Sequence, residues 1–234
     1  MASFSNTAVL VAGGTGGLGR AVTLAFLEAG ASVAVTFRTP EELVALKSAA
    51  GAAHERLDGH EVDVTDEGAT KALVEAVLVR NGRLDALVNT VGGFAGGKKL
   101  WEEDSGVLDR MLTLNLRAGW TLARATVPVM LAQGRGAIVN VAAQAALAPP
   151  AGLAAYAASK AAAVAMLASL AADLKGTGVR VNTILPTIID TEANRKAMPD
   201  ADFSKWPKPE EIARVVLFLC GEDAKLIHGA AISV

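Results

Sequence analysis

The hydrophobic pattern changes period repeatedly along this chain. Short β-branched runs at residues 7–12, 32–37, 60–63, 84–89, 137–141, 179–185 and 230–234 read as strands, because their apolar positions are contiguous or alternate. Between them, roughly 17–29, 40–50, 66–81, 103–133, 154–175 and 208–221 carry apolar residues at helical intervals. Strand and helix in alternation predict an α/β fold, a mostly parallel sheet of seven strands with helices on both faces. Two segments fit neither period: the Gly-rich VGGFAGGKK at 91–99, and PTIIDTEANRKAMPDADFSKWP at 186–207. The second is longer than an ordinary connection and is expected to be a substrate loop. No repeat and no linker divides residues 1–234, so a single domain is expected.

Composition narrows the partners. A chain of 234 residues, 52% of them hydrophobic, can bury one substantial core. The net charge of -2 gives no ground for a polyanion, so no nucleic acid partner is expected. The lone Cys220 cannot form an internal disulfide and Met1 to Leu10 lacks a basic leader, which points to the cytoplasm. The longest apolar run, Ala161 to Ala172, is bounded by Lys160 and Asp173 and is too short to span a bilayer, so no membrane partner is expected. His54, His60 and His228 are scattered and form no metal-binding motif.

After the first strand comes AGGTGGLGRAVTLAF, which supports two glycine registers: Gly13, Gly17 and Gly19, or Gly14, Gly16 and Gly19. In either, the turn through Thr15 and Leu18 lets backbone approach a pyrophosphate while the next helix directs its amides and positive dipole end at the anion. No G-K-[ST] follows, which argues against a triphosphatase loop. The second strand ends in TFRTP, where an acid would bind a ribose 2'-hydroxyl and a base would accept a 2'-phosphate. Arg38 and Thr39 therefore favour NADPH, with NADH as the alternative and a solvated surface arginine as the bland reading. Asp63, with Val64 after it, ends the third strand; its carboxylate suits an adenine amino group or a cap for the helix starting near Asp66.

Tyr156 and Lys160 lie four residues apart in a strongly helical, Ala-rich segment, so their side chains share a face. A free phenol has a pKa of about 10, and a nearby ammonium is expected to favour the phenolate. From Val141 to Ala155, however, there is no Ser or Thr.

These residues, with Asn89, Asn115 and VRVNTILPTIIDT, resemble the short-chain dehydrogenase/reductase family across nearly the whole chain. The resemblance implies a Rossmann fold, with Tyr156 as proton donor, Lys160 also holding the nicotinamide ribose and Asn115 supporting a water-linked proton path. It implies that Asn89 and Gly92, in an NTVG departure from the family's Asn-Asn-Ala-Gly, lie near the adenosine. Pro186, Ile189 and Thr191 match the segment that closes over the nicotinamide, with Thr187 replacing the usual Gly. It further implies a homodimer or homotetramer built on the helices at 103–133 and 154–175.

The family's carbonyl-binding Ser lies thirteen residues before the Tyr, and here that position is Ala143. Together with GGFAGG at 92–97 and the run through Asn194, Arg195, Met198, Pro199, Ala201, Asp202, Phe203 and Trp206, this resembles the dihydropteridine reductase branch. That branch reduces a conjugated C=N system, so no single oxygen must carry developing charge and a serine donor is dispensable. Phe94 would then offer a face to the pterin ring, or it is a hydrophobic anchor. Two other functions remain open: a carbonyl or 3-oxoacyl reductase with Gln144 or a water in the serine's place, and a non-catalytic NADPH sensor.

Overall fold

The computed structural model describes residues 3–234. Its strands are β1 (Ala8–Ala12), β2 (Ser32–Phe37), β3 (Leu57–Glu61), β4 (Ala86–Asn89), β5 (Gly136–Val141), β6 (Val179–Leu185) and β7 (Ala231–Ser233). They form one sheet in the order β3-β2-β1-β4-β5-β6-β7, and every pairing is parallel rather than mostly so. Each crossover passes through helix or turn, and the α-helices are α1 (Gly17–Glu28), α2 (Pro40–Ala50), α3 (Glu67–Asn81), α4 (Ser105–Leu112), α5 (Ala118–Gln133), α6 (Ala154–Asp173), α7 (Glu192–Ala197) and α8 (Pro209–Cys220).

Both sheet faces are covered, which explains why β1 reads as an unbroken apolar run. Val9 and Val11 join the core beneath α1 and α8, while Leu10 and Ala12, pointing the other way, join the core that includes Leu122 of α5 and Leu167 of α6. Strand β1 lies between β2 and β4, so the connections leaving β1 and β4 diverge and open a crevice above their carboxyl ends. Helix α6 is long and apolar enough to match a membrane span by composition, which the shorter run Ala161–Ala172 does not. Here it is a layer helix packed on β6, with Ser159 and Lys160 on its buried face. Burial pushes the thiol of the lone Cys220 up to about 12.

Three expectations need correction. Strand β3 ends at Glu61, not 63, because its ladder with β2 runs from Val33↔Leu57 to Phe37↔Glu61. An edge strand reading LDGHE carries little apolar signal. The segment expected as one helix at 103–133 begins at Ser105 and is interrupted by a π-turn at 113–117. The loop at 186–207 contains the short helix α7 and a 3-10 turn at 203–205.

The glycines of the turn are closely packed. Gly13 has a φ of +74°, and a methyl on Gly19 would lie 2.0 Å from the Gly13 carbonyl oxygen, whereas one on Gly16 would meet nothing nearer than 3.5 Å. Gly14 and Gly17 are packed as closely, against Val35 and Thr191, so of the five glycines in the two registers only Gly16 has room for a side chain. Gly19→Ala is expected to lower the stability of the fold by about 1–3 kcal/mol through overpacking, measured as a fall in the urea unfolding midpoint. Gly16→Ala should leave that midpoint within error.

Candidate active site

A cleft of about 310 Å³ opens above β1 and β4, lined by Gly13, Thr15 and Gly16 on one side, Arg38 and Thr39 on another, and Gly92 beyond. Its floor is held by threonines the sequence reading passed over. The Gly13 amide donates to Thr36 Oγ1 at 2.8 Å, and the Thr90 hydroxyl donates to the carbonyls of Ala12 at 2.7 Å and Gly13 at 3.1 Å. Gly14 is wedged against Val35, where a methyl would lie 2.5 Å from Val35 Cγ1. Leu18 is buried in the core, so only its backbone can face a ligand. Helix α1 starts after Gly16 with no side-chain cap and no acid in its first turn. Uncapped amides over a glycine floor, beside a guanidinium, are the donor set a dinucleotide diphosphate requires.

Asp63 lies beyond β3, and its carboxylate accepts from both the amide and the hydroxyl of Thr65, at 2.9 and 2.8 Å. Those bonds, with a smaller effect of Arg38, hold it below the usual carboxylate range. The helix cap considered for Asp63 is instead Asp66, which accepts from the Ala69 amide at 2.7 Å. Val64 is buried and its carbonyl accepts from Thr121 and Thr70. Asn89 lies inside the sheet, donating to Asn140 Oδ1 at 2.7 Å and accepting from the Val91 amide at 3.1 Å. It thus ties β4 to β5 through a buried asparagine pair, of which the sequence reading named only one member.

The reacting pair lies where β5 meets α6. Lys160 is 6% exposed; its Nζ donates to the Val141 carbonyl at 3.2 Å and lies 5.9 Å from the centre of the Tyr156 ring. Burial pushes this amine down to about 8, so below that pH it is an ammonium held inside the protein. Burial also pushes the Tyr156 phenol up from its ordinary value of 10.0. The shift is opposite to the expected bias toward phenolate, because desolvation of the phenol is its cause and the ammonium is turned toward a carbonyl.

Asn115 sits on the π-turn with its side chain fully engaged. Its Oδ1 accepts from the Gly93 amide at 2.9 Å, and its Nδ2 donates to the Gly93 carbonyl at 3.1 Å and to Ser159 Oγ at 2.9 Å. The Ser159 hydroxyl in turn donates to the Tyr156 carbonyl at 2.7 Å. A methyl on Gly92 would lie 2.8 Å from Asn115 Oδ1 and 3.1 Å from Lys160 Nζ, so only glycine lets that loop pass the pair. Ser159 was missed; a serine inside a run of alanines on a buried helix face is the signal that marks it.

The remaining site residues form the rim. The Phe94 ring meets Tyr156 edge-on at 5.0 Å and remains 68% exposed. Ala143 is buried, Gln144 is exposed, and the Gln144 amide donates to the Pro186 carbonyl at 3.0 Å. The Ile189 carbonyl accepts from Asn194 Nδ2 at 2.8 Å, and Thr191 caps α7, accepting from the Asn194 amide at 3.2 Å. The Thr191 methyl lies where a side chain on Gly17 would be, 2.8 Å away, so this segment closes on the glycine turn. Arg195 braces it with a forked pair of bonds to Asp190, at 2.5 and 2.8 Å, and lies over the Phe203 ring at 4.8 Å.

Known proteins share this fold. Residues 7–202 match the family described as short chain dehydrogenase. The 3-oxoacyl-[acyl-carrier-protein] reductase of Thermotoga maritima is 32% identical over 235 residues, covering 96% of this chain and 94% of that one. Among solved structures, ElxO with NADP bound superposes with a TM-score of 0.92 at 26% identity, covering 97% of this chain and 96% of that one. NAD+-bound xylitol dehydrogenase superposes with a TM-score of 0.90, also at 26% identity, over 99% of this chain and 98% of that one.

The buried ammonium has a stability signature. Unfolded, Lys160 keeps its proton to about 10.5; folded, to about 8. Between those values the unfolded chain binds more protons, so this group makes stability rise with pH. Lys160→Met is expected to stabilise the protein by roughly 2–3 kcal/mol at pH 7 and to lose most of that advantage by pH 10. Urea unfolding of both proteins at the two pH values checks this.

Proposed function

The chain belongs to the short-chain dehydrogenase/reductase family, and from that premise we propose that it is an NADPH-dependent reductase, also accepting NADH, of a small conjugated acceptor such as a quinonoid dihydropteridine. The bound cofactor supplies a hydride. The amides of Gly13 to Gly19 would hold its diphosphate, Arg38 and Thr39 its 2'-phosphate, and Asp63 and Val64 its adenine. Asn89 and Gly92 shape the crevice between, Lys160 would hold the nicotinamide ribose, and Pro186, Ile189 and Thr191 would close over the carboxamide.

One observation carries the reading: a phenol pushed up by burial beside an ammonium buried to 6% exposure, which is packed against Gly92 at the edge of the cleft that the glycine turn lines. At neutral pH Tyr156 holds its proton, which is the form needed to give one to the reduced substrate. Lys160, charged below about 8, then stabilises the phenolate that remains. Asn115 and Ser159 fix the backbone of Tyr156, and the Asn115 side chain is occupied by Gly93 and Ser159, so a water-linked path at this residue would start from its main chain.

The acceptor class is argued from Ala143. A buried methyl in place of a hydroxyl offers nothing to an oxyanion, and the exposed Phe94 ring beside Tyr156 offers a flat contact instead. A second reading, reduction of a ketone or 3-oxoacyl substrate, is favoured by the Thermotoga relative. Exposed Trp120 and Leu131 on α5 support assembly into a homodimer or homotetramer.

Tyr156→Phe should lower turnover by about 10²–10⁴-fold without changing the thermal midpoint; unchanged cofactor oxidation would show that Tyr156 does no chemistry, and no oxidation by the unaltered protein with any substrate would favour a binding protein. A substrate panel with both reduced nicotinamides separates the two acceptor readings. Turnover of quinonoid dihydropterin in preference to simple ketones supports the first. Ketone turnover alone, raised about tenfold or more by Ala143→Ser, establishes the second.

A further inference from the structure

The sequence places no carboxylate directly after β2, yet the folded chain brings one to the same place. Glu42, in the first turn of α2, lines the cleft beside Arg38 and Thr39, across from Gly13 and Thr15. It is held there: the Thr15 hydroxyl donates to Glu42 Oε2 at 2.8 Å, a bond between residues 27 apart in sequence. The cleft is therefore lined by a guanidinium that suits a 2'-phosphate and by an acid that suits free ribose hydroxyls.

Charge balance supports a dual role. Among the described residues Arg38 is the one cation lining the cleft, which it shares with the Glu42 carboxylate of α2; Asp63 after β3, outside that lining, feels the Arg38 field. Asp63 Oδ1 is already committed to Thr65, whereas Glu42 is held by the Thr15 bond through a single oxygen. A 2'-phosphate gains Arg38 but meets the Glu42 carboxylate; a 2'-hydroxyl loses little from Arg38 and can donate to Glu42.

We propose that Glu42, tethered by Thr15, is the residue that sets the choice between the two nicotinamide dinucleotides, accepting from the adenosine ribose and holding back the phosphorylated form. This rests on the dinucleotide-binding reading above. It makes NADH an accepted partner through a residue that lies outside the strand-end position where the sequence directs attention.

Isothermal titration of the full-length protein with NAD+ and with NADP+ tests this without turnover. Glu42→Gln should weaken NAD+ binding and strengthen NADP+ binding, moving the ratio of affinities toward NADP+ by about tenfold or more. Thr15→Val, which frees the acid, should move the ratio the same way by a smaller factor. Arg38→Ala should weaken NADP+ by about tenfold or more and leave NAD+ nearly unchanged. Equal changes for both dinucleotides in Glu42→Gln, or none, would overturn the role of Glu42 while leaving the cofactor site intact. Failure of the unaltered protein to bind either dinucleotide would overturn the cofactor site itself, and this proposal with it.

Discussion

The structure is organised around one buried charge. Lys160 brings an ammonium into a region where water cannot solvate it, and among the described residues the Val141 carbonyl at 3.2 Å is its one hydrogen-bond partner. Isolated charges in such surroundings are costly, and the amine responds by moving down to about 8. Everything close to it is adapted to that position: Gly92 has no side chain to collide with Nζ, and Tyr156 lies one helical turn away on the same face of α6. The same desolvation that depresses the amine raises the phenol. The pair therefore rests as phenol and ammonium at neutral pH, the combination suited to reduction.

Asn115 transmits position rather than charge. The π-turn places it on the inner side of the α4–α5 segment, where one amide joins the Gly92–Phe94 loop to Ser159 on α6. Because Ser159 also bonds the Tyr156 carbonyl, the loop that carries Phe94 and the helix that carries Tyr156 are held in one network. None of these polar groups is left unsatisfied, as burial demands.

Much of the fold could be read from local pattern because both faces of the sheet are covered and most strands between β1 and β6 are strongly apolar. The failures have local causes. Strand β3, at the sheet edge, reads LDGHE and gives almost no periodic signal, and the π-turn at 113–117 lies inside a helical run that is unbroken from Ser105 to Gln133. In the site, Tyr156, Lys160 and the glycine turn were legible because their spacing is set within one helix or one turn. Thr36, Thr90, Asn140 and Ser159 were not, because each acts on a residue from another segment.

By itself the sequence determined the order of strands and helices, the glycine turn, the face shared by Tyr156 and Lys160, and the absence of a hydroxyl at Ala143. These follow from periodicity and from residue identity, which operate over a few positions. Only the tertiary structure decided that Glu42 joins Arg38 in one cleft, that the cap of α3 falls to Asp66 and not Asp63, and that the tyrosine's pKa moves up instead of down. The first and last depend on distance and desolvation between segments remote in sequence, and the cap on backbone direction at a strand end, quantities that no local pattern encodes.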